Sequence, residues 1–143
     1  MKRSNALGTL AALALSIGAP GIALADETPA ASSAGAAGVV EREVAAYNAH
    51  EAAGVTKLHA PDAVFTLLPN GKVLASESDQ LLAFFTKNFN DNPNAKITFE
   101  NQFVLKNVVV NHYAVGDSAG PDIVSIYDVR NGVIASDCWV ILG

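Results

Sequence analysis

Apolar residues recur at helical spacing early in this chain and at every second position late in it. Val40, Val44 and Tyr47 mark the buried stripe of a helix predicted from about Val39 to Ala53, with Gly54 as its terminator. Val55 to His59 reads as a short second helix, stopped by Pro61. Val64, Phe65, Leu67 and Leu68 form an apolar strand, Pro69-Asn70-Gly71-Lys72 a turn, and Val73 to Ala75 a short returning strand. Ser76-x-x-Asp79 has the form of a capping box. It opens a third helix whose broad apolar face is Leu81, Leu82, Phe84, Phe85 and Phe89, and Asp91-Asn92-Pro93-Asn94 closes it.

From Lys96 the period drops to two, which predicts a half-buried strand carrying Ile97, Phe99, Phe103 and Leu105. Val108 to Val115 returns, and Ile123 to Val129 and Val133 to Leu142 flank a tight turn at Arg130-Asn131-Gly132. Helices first and strands last predict an α+β fold, a curved sheet wrapped around helices that leaves a hollow. The late strands are apolar on both faces. Val124, Ile126, Cys138 and Val140 share one, while Ile123, Tyr127, Trp139 and Ile141 share the other. A sheet with one wet face would alternate more cleanly, so the second face predicts a homodimer built sheet against sheet.

The first residues stand apart from this pattern. Lys2 and Arg3 precede a charge-free apolar run from Ala6 to Ile22, and Ala23-Leu24-Ala25 is a small-x-small cleavage signature. Residues 1–25 are therefore expected to be a signal peptide of bacterial type, cleaved after Ala25, with a periplasmic or secreted product. The run is slightly short for a bilayer, which needs roughly 20 residues, and Gly18, Pro20 and Gly21 weaken it as a span. Residues 26–38 hold no large apolar side chain and read as a flexible linker, leaving 39–143 as one folded domain.

Losing Lys2 and Arg3 takes the formal charge from −5 to −7. An acidic small domain disfavours nucleic acid and anionic membrane as partners. Cys138 is the one cysteine, so no internal disulfide forms, and its apolar neighbours predict burial. The three histidines have no helical metal-pair spacing and no Cys/His cluster exists, so neither metal nor cofactor is expected. For His112 the expected role is structural, in packing or hydrogen bonding.

Tyr47-Asn48-Ala49-His50, Ala60-Pro61-Asp62-Ala63-Val64, Asn111-His112 and Ile126-Tyr127-Asp128-Val129-Arg130-Asn131-Gly132 occur in an order that resembles the nuclear transport factor 2-like superfamily. The resemblance is to its SnoaL-like, ketosteroid isomerase-like bacterial branch and covers Val39 to Leu142. It implies a cone-shaped, mostly antiparallel sheet around three helices, frequently dimeric. The superfamily hosts isomerases, dehydratases, cyclases and binding modules, so the resemblance implies no single activity. The isomerase mechanism needs a general base and an oxyanion hole made of a tyrosine and a protonated carboxylic acid. By the resemblance those positions fall on Leu67, on Glu43 with Tyr47 one turn later, and on or next to Ser125. All three depart from the isomerase pattern.

His59 matches a supporting tyrosine of that family. Glu43 and His59 are accordingly the candidate catalytic pair, a carboxylate and an imidazole able to move protons without a cofactor if both face inward. Tyr47, Phe65, Leu67 and Phe85 are the expected ligand-binding residues from the first half of the chain. Phe103, Tyr127 and Trp139 join them from the strands, and Asp137 interrupts an apolar strand as a polar contact, pocket-lining or at the open rim. The expected partner is a small apolar or amphipathic molecule. Catalysis, non-catalytic binding and a dimeric interaction module with a filled pocket all remain compatible with this residue set.

Overall fold

The computed structural model describes residues 29–116 and 121–142. The expected signal peptide, 1–25, lies outside them. Three helices, α1 (Pro29–Asn48), α2 (Ala52–Lys57) and α3 (Glu77–Asp91), accompany six strands. The strands are β1 (His59–Leu68), β2 (Lys72–Ser76), β3 (Ile97–Leu105), β4 (Val108–Val115), β5 (Asp122–Arg130) and β6 (Val133–Leu142). They form one sheet in the order β2-β1-β6-β5-β4-β3, with only the β1–β6 pair parallel. This is the α+β cone expected from the chain: a curved, unclosed sheet with the helices against its concave face. Among the described residues no helix is long and apolar enough to cross a membrane.

Several boundaries differ from the sequence expectation, each for a local reason. Helix α1 already includes residues 29–38, expected as linker, and Ala36 and Val39 are buried against Val109, Tyr127 and Ile134. Alanine favours helix, and Ala36 is small enough to pack closely on the sheet. The helix stops at Asn48 rather than at Gly54, because His50 adopts a left-handed φ of 57°. Asn48 then acts as a surrogate strand, accepting from Ile97 N–H at 2.7 Å and donating to Ile97 C=O at 3.0 Å.

Gly54 lies inside α2, where it lets the two helices approach. A Cβ there would stand 3.3 Å from the Ala46 methyl and 3.1 Å from the Glu51 carboxylate. His59 is the first residue of β1 rather than the end of the second helix. At the start of α3 the Ser76 amide donates to Gln80 Oε1 at 3.1 Å, so the cap is built with Gln80 and not Asp79.

Strand β3 is the largest departure. It occupies the sheet edge, and past Ile97 it is open to solvent, with Phe103 63 % and Leu105 59 % exposed. A register shift between Phe99 and Asn101 moves the alternation by one residue, so Phe103 pairs with Val110 on the convex face while Val104, opposite Val109, packs inward.

Candidate functional site

The register of β4, β5 and β6 arranges the concave face in rows. Val109, Tyr127 and Asp137 form one row, with Phe65 beside Asp137 on β1. Asn111, Ser125 and Trp139 form the next, with Leu67 beside Trp139. Tyr113 and Ile123 follow. A polar stripe thus lies on a face that is otherwise aliphatic and aromatic, under helices that exclude water. Glu43 reaches it from α1, and the Tyr127 hydroxyl donates to Glu43 Oε2 at 3.4 Å.

Most of this stripe is unpartnered. Asn111 Nδ2 and Oδ1, Tyr113 OH, Ser125 Oγ, both Asp137 oxygens and Trp139 Nε1 are buried without a hydrogen bond of good geometry. Folded proteins rarely leave such atoms idle, since each costs about 1–3 kcal/mol when desolvated and unpaired. Their convergence on one face is a signature of a surface built to receive polar atoms from a ligand or from water.

Burial also sets the protonation states. Glu43 is 2 % exposed, and desolvation pushes its carboxyl up to about 7, the Tyr127 hydrogen bond only partly offsetting this. Desolvation likewise holds Asp137 well above the usual carboxylate range, and the charge of Glu43 adds to it. The Trp139 indole and the Cys138 amide, close but poorly aligned, pull weakly the other way. Among the described residues no buried lysine or arginine compensates the pair. Tyr113 and Tyr127 are pushed up by burial first and by the two carboxyls next, so both remain hydroxyl donors.

The expected catalytic pair is not assembled. Glu43 and His59 are both buried, yet no hydrogen bond or ion pair joins them, and the partner of Glu43 is Tyr127. His59 Nδ1 lies 3.0 Å from Val55 C=O, which can only accept, so Nδ1 carries the proton and Nε2 is left as a buried, unpartnered acceptor. Desolvation lowers the His59 pKa, keeping the ring neutral. Its ring sits 6.2 Å from that of Phe85.

The other expected residues divide cleanly. Tyr47, Phe65 and Phe85 are buried in one cluster, Tyr127 is buried in a second, Asp137 is buried beside Tyr127 and Phe65, and Trp139 is half-buried against Phe65 at 4.7 Å. Leu67 is half-buried on the same face. Phe103 is excluded: it projects from the edge strand into solvent. Asn111 and Tyr113 were not anticipated as site residues. The signal for them was present as polar groups standing in phase with the buried Val109.

An open pocket of about 860 Å³ lies beside this stripe, between the end of α3 and the ends of β4 to β6. Tyr47, Asn88, Ile123 and Trp139 are among its walls. Tyr47 is fixed there by Asn88, whose Nδ2 donates to the phenol oxygen at 3.0 Å. Trp139 thus belongs both to the pocket wall and to the row of Asn111 and Ser125.

Comparison with known proteins agrees with this architecture. The sequence profile of the SnoaL-like domain matches residues 40–136. A SnoaL-like protein of unknown function from Burkholderia thailandensis superposes with a TM-score of 0.68 at 14 % identity, covering 77 % of this chain and 96 % of that one. A provisionally named ketosteroid isomerase from Kribbella flavida gives 0.68 at 10 % identity, covering 78 % and 81 %. A provisionally named polyketide cyclase, IdmH from Streptomyces antibioticus, gives 0.63 at 16 % identity, covering 74 % and 91 %. No curated protein matches the sequence significantly.

Proposed function

The chain belongs to the SnoaL-like domain family, and on that premise we propose that it is an exported, cofactor-free acid–base protein for a small, largely apolar molecule. The molecule enters through the pocket walled by Tyr47 and Trp139 and presents a carbonyl or hydroxyl oxygen to the polar row. The observation that carries this reading is Asp137: a fully buried carboxyl with both oxygens unpartnered, electrostatically linked to Glu43.

Two buried carboxyls without a cation hold at least one proton near neutral pH, and a protonated acid beside tyrosine hydroxyls is suited to a developing oxyanion. The ionised member of the pair takes a proton from carbon next to the substrate carbonyl. The protonated member or a phenol donates a hydrogen bond to the oxygen as negative charge develops there. Returning that proton at another carbon gives isomerisation; losing hydroxide or attacking a second carbonyl gives dehydration or cyclisation. By the family resemblance the isomerase base falls on Leu67 and its acid on or next to Ser125, which favours a chemistry distributed differently from the steroid enzyme's.

The same departures favour a second reading, in which the domain binds its ligand without transforming it. Native mass spectrometry of protein taken from its own secretory compartment identifies the bound molecule, and that molecule serves as the test substrate. Turnover that disappears in Asp137→Asn while binding persists supports catalysis. Ligand unchanged by the wild-type protein supports the binding role, and absence of any ligand affinity overturns both.

On the convex face Val124 lies beside Val140, and Ile126 beside Cys138, all only partly buried. We further propose that this patch joins two copies into a homodimer. Light scattering on wild type and Ile126→Lys checks it: a dimer that becomes monomeric is expected, and a wild-type monomer sinks the proposal.

A further inference from the structure

A second cluster stands on the convex face, away from the polar row. Glu100, His112 and Asp122 come from β3, β4 and β5, and candidate ligand atoms of the three lie within 4.8 Å of one another. The register explains how they meet. On β3, Phe99 pairs with Tyr113 but Asn101 already pairs with His112, so Glu100 is the extra residue of a bulge. Bulges re-aim side chains, and this one carries the Glu100 carboxylate over to His112. Asp122 pairs with Ala114, two residues beyond His112 and on the same face.

We propose that Glu100, His112 and Asp122 bind a divalent transition ion of the Zn²⁺ or Co²⁺ type. His112 Nδ1 lies 3.3 Å from Glu100 Oε2. Two ligands on one tetrahedral ion with bonds near 2.0–2.2 Å are separated by about 3.4 Å, so the spacing of this pair matches one coordination edge. Asp122 Oδ1 lies 3.8 Å from His112 Nε2, on the opposite side of the ring. An ion held by one ring nitrogen therefore draws the farther carboxylate inward, and both carboxylates are free to turn, being 48 % and 53 % exposed.

The donor set decides the kind of ion. One imidazole and two carboxylates suit borderline divalent ions, and without a thiolate the set does not favour Cu(I). Two carboxylates beside one imidazole make a donor set that the charge of a dication attracts. Bound there, the ion ties the bare edge strand β3 to β4 and β5. Water completes the coordination on the exposed side.

The test uses tag-free protein stripped of metal with a chelator, titrated calorimetrically with Zn²⁺ and followed with Co²⁺ by visible absorption. One ion per chain is expected, with a rise in Tm on Zn²⁺ addition. His112→Ala should weaken binding at least about 10-fold and abolish the Tm rise, as should Glu100→Gln with Asp122→Asn, a double variant that keeps side-chain size. Cys138→Ala and His50→Ala should bind as wild type. Absence of saturable binding, or affinity unchanged in the carboxamide double variant, would show a hydrogen-bonded clamp with no metal function and overturn the proposal.

Discussion

The Tyr127 hydroxyl donates to Glu43 Oε2 at 3.4 Å, joining a strand to the first helix across the interior of the cone. It is the one hydrogen bond that the Glu43 carboxyl makes among the described residues, and a long one. A carboxyl so buried and so thinly solvated gives up its charge readily.

Glu43 makes stability depend on pH in a definite direction. Its carboxyl titrates near 7 in the folded chain and near 4.5 when exposed. Between those values the native state holds more protons, so stability falls as pH rises and the loss is complete above about 7. The shift corresponds to a loss on the order of 3 kcal/mol. Urea unfolding at pH 5 and pH 8 should show this drop in the wild type and a smaller one in Glu43→Gln. Parallel curves for the two proteins would rule out the burial assigned to Glu43.

Trp139 is the chain's one tryptophan, so intrinsic fluorescence reports on it alone. It lines the pocket and keeps a buried, unpartnered Nε1. A ligand that occupies the pocket should shift or quench its emission, and Trp139→Phe should bind the same ligand about 10-fold more weakly if the N–H is used. An emission spectrum indifferent to bound ligand would place the molecule elsewhere.

Asn48 ties the end of α1 to the start of β3 with two side-chain bonds to the Ile97 backbone. Asn48→Ala leaves that amide and carbonyl without these partners and should cost about 1–3 kcal/mol in chemical denaturation. A loss below about 0.5 kcal/mol would mean that water replaces the amide freely.

Phe103 offers a control from the same set of aromatic residues. At 63 % exposure it belongs to the surface. Phe103→Ser should change stability by no more than about 0.5 kcal/mol and leave ligand binding alone. Weakened binding in this variant would bring the edge strand into the site.

Much of the fold was legible because period and punctuation are local properties. The 3.6-residue stripe at Val40, Val44 and Tyr47 and the alternation through Ile123 to Val129 each state which face is buried. Helix ends were less legible, since His50 and Gly54 take their conformations from what they touch. Asn48 reaches Ile97 far along the chain, and Gly54 fits against Ala46 on the neighbouring helix. Phe103 misled for a related reason: the bulge at Glu100 shifts the alternation of β3 by one residue, so Val104 rather than Phe103 packs inward.

The sequence by itself determined the architecture, the phase of the strands other than β3, and the inward faces of Tyr127 and Trp139, while it left Glu43 and Asp137 open between interior and rim. Only the tertiary structure decided who meets whom. Register placed Asp137 beside Tyr127 and gathered Glu100, His112 and Asp122 from three strands through a single bulge. Side-chain phase is written into a strand residue by residue, whereas register and burial emerge when strands far apart in the chain are laid side by side.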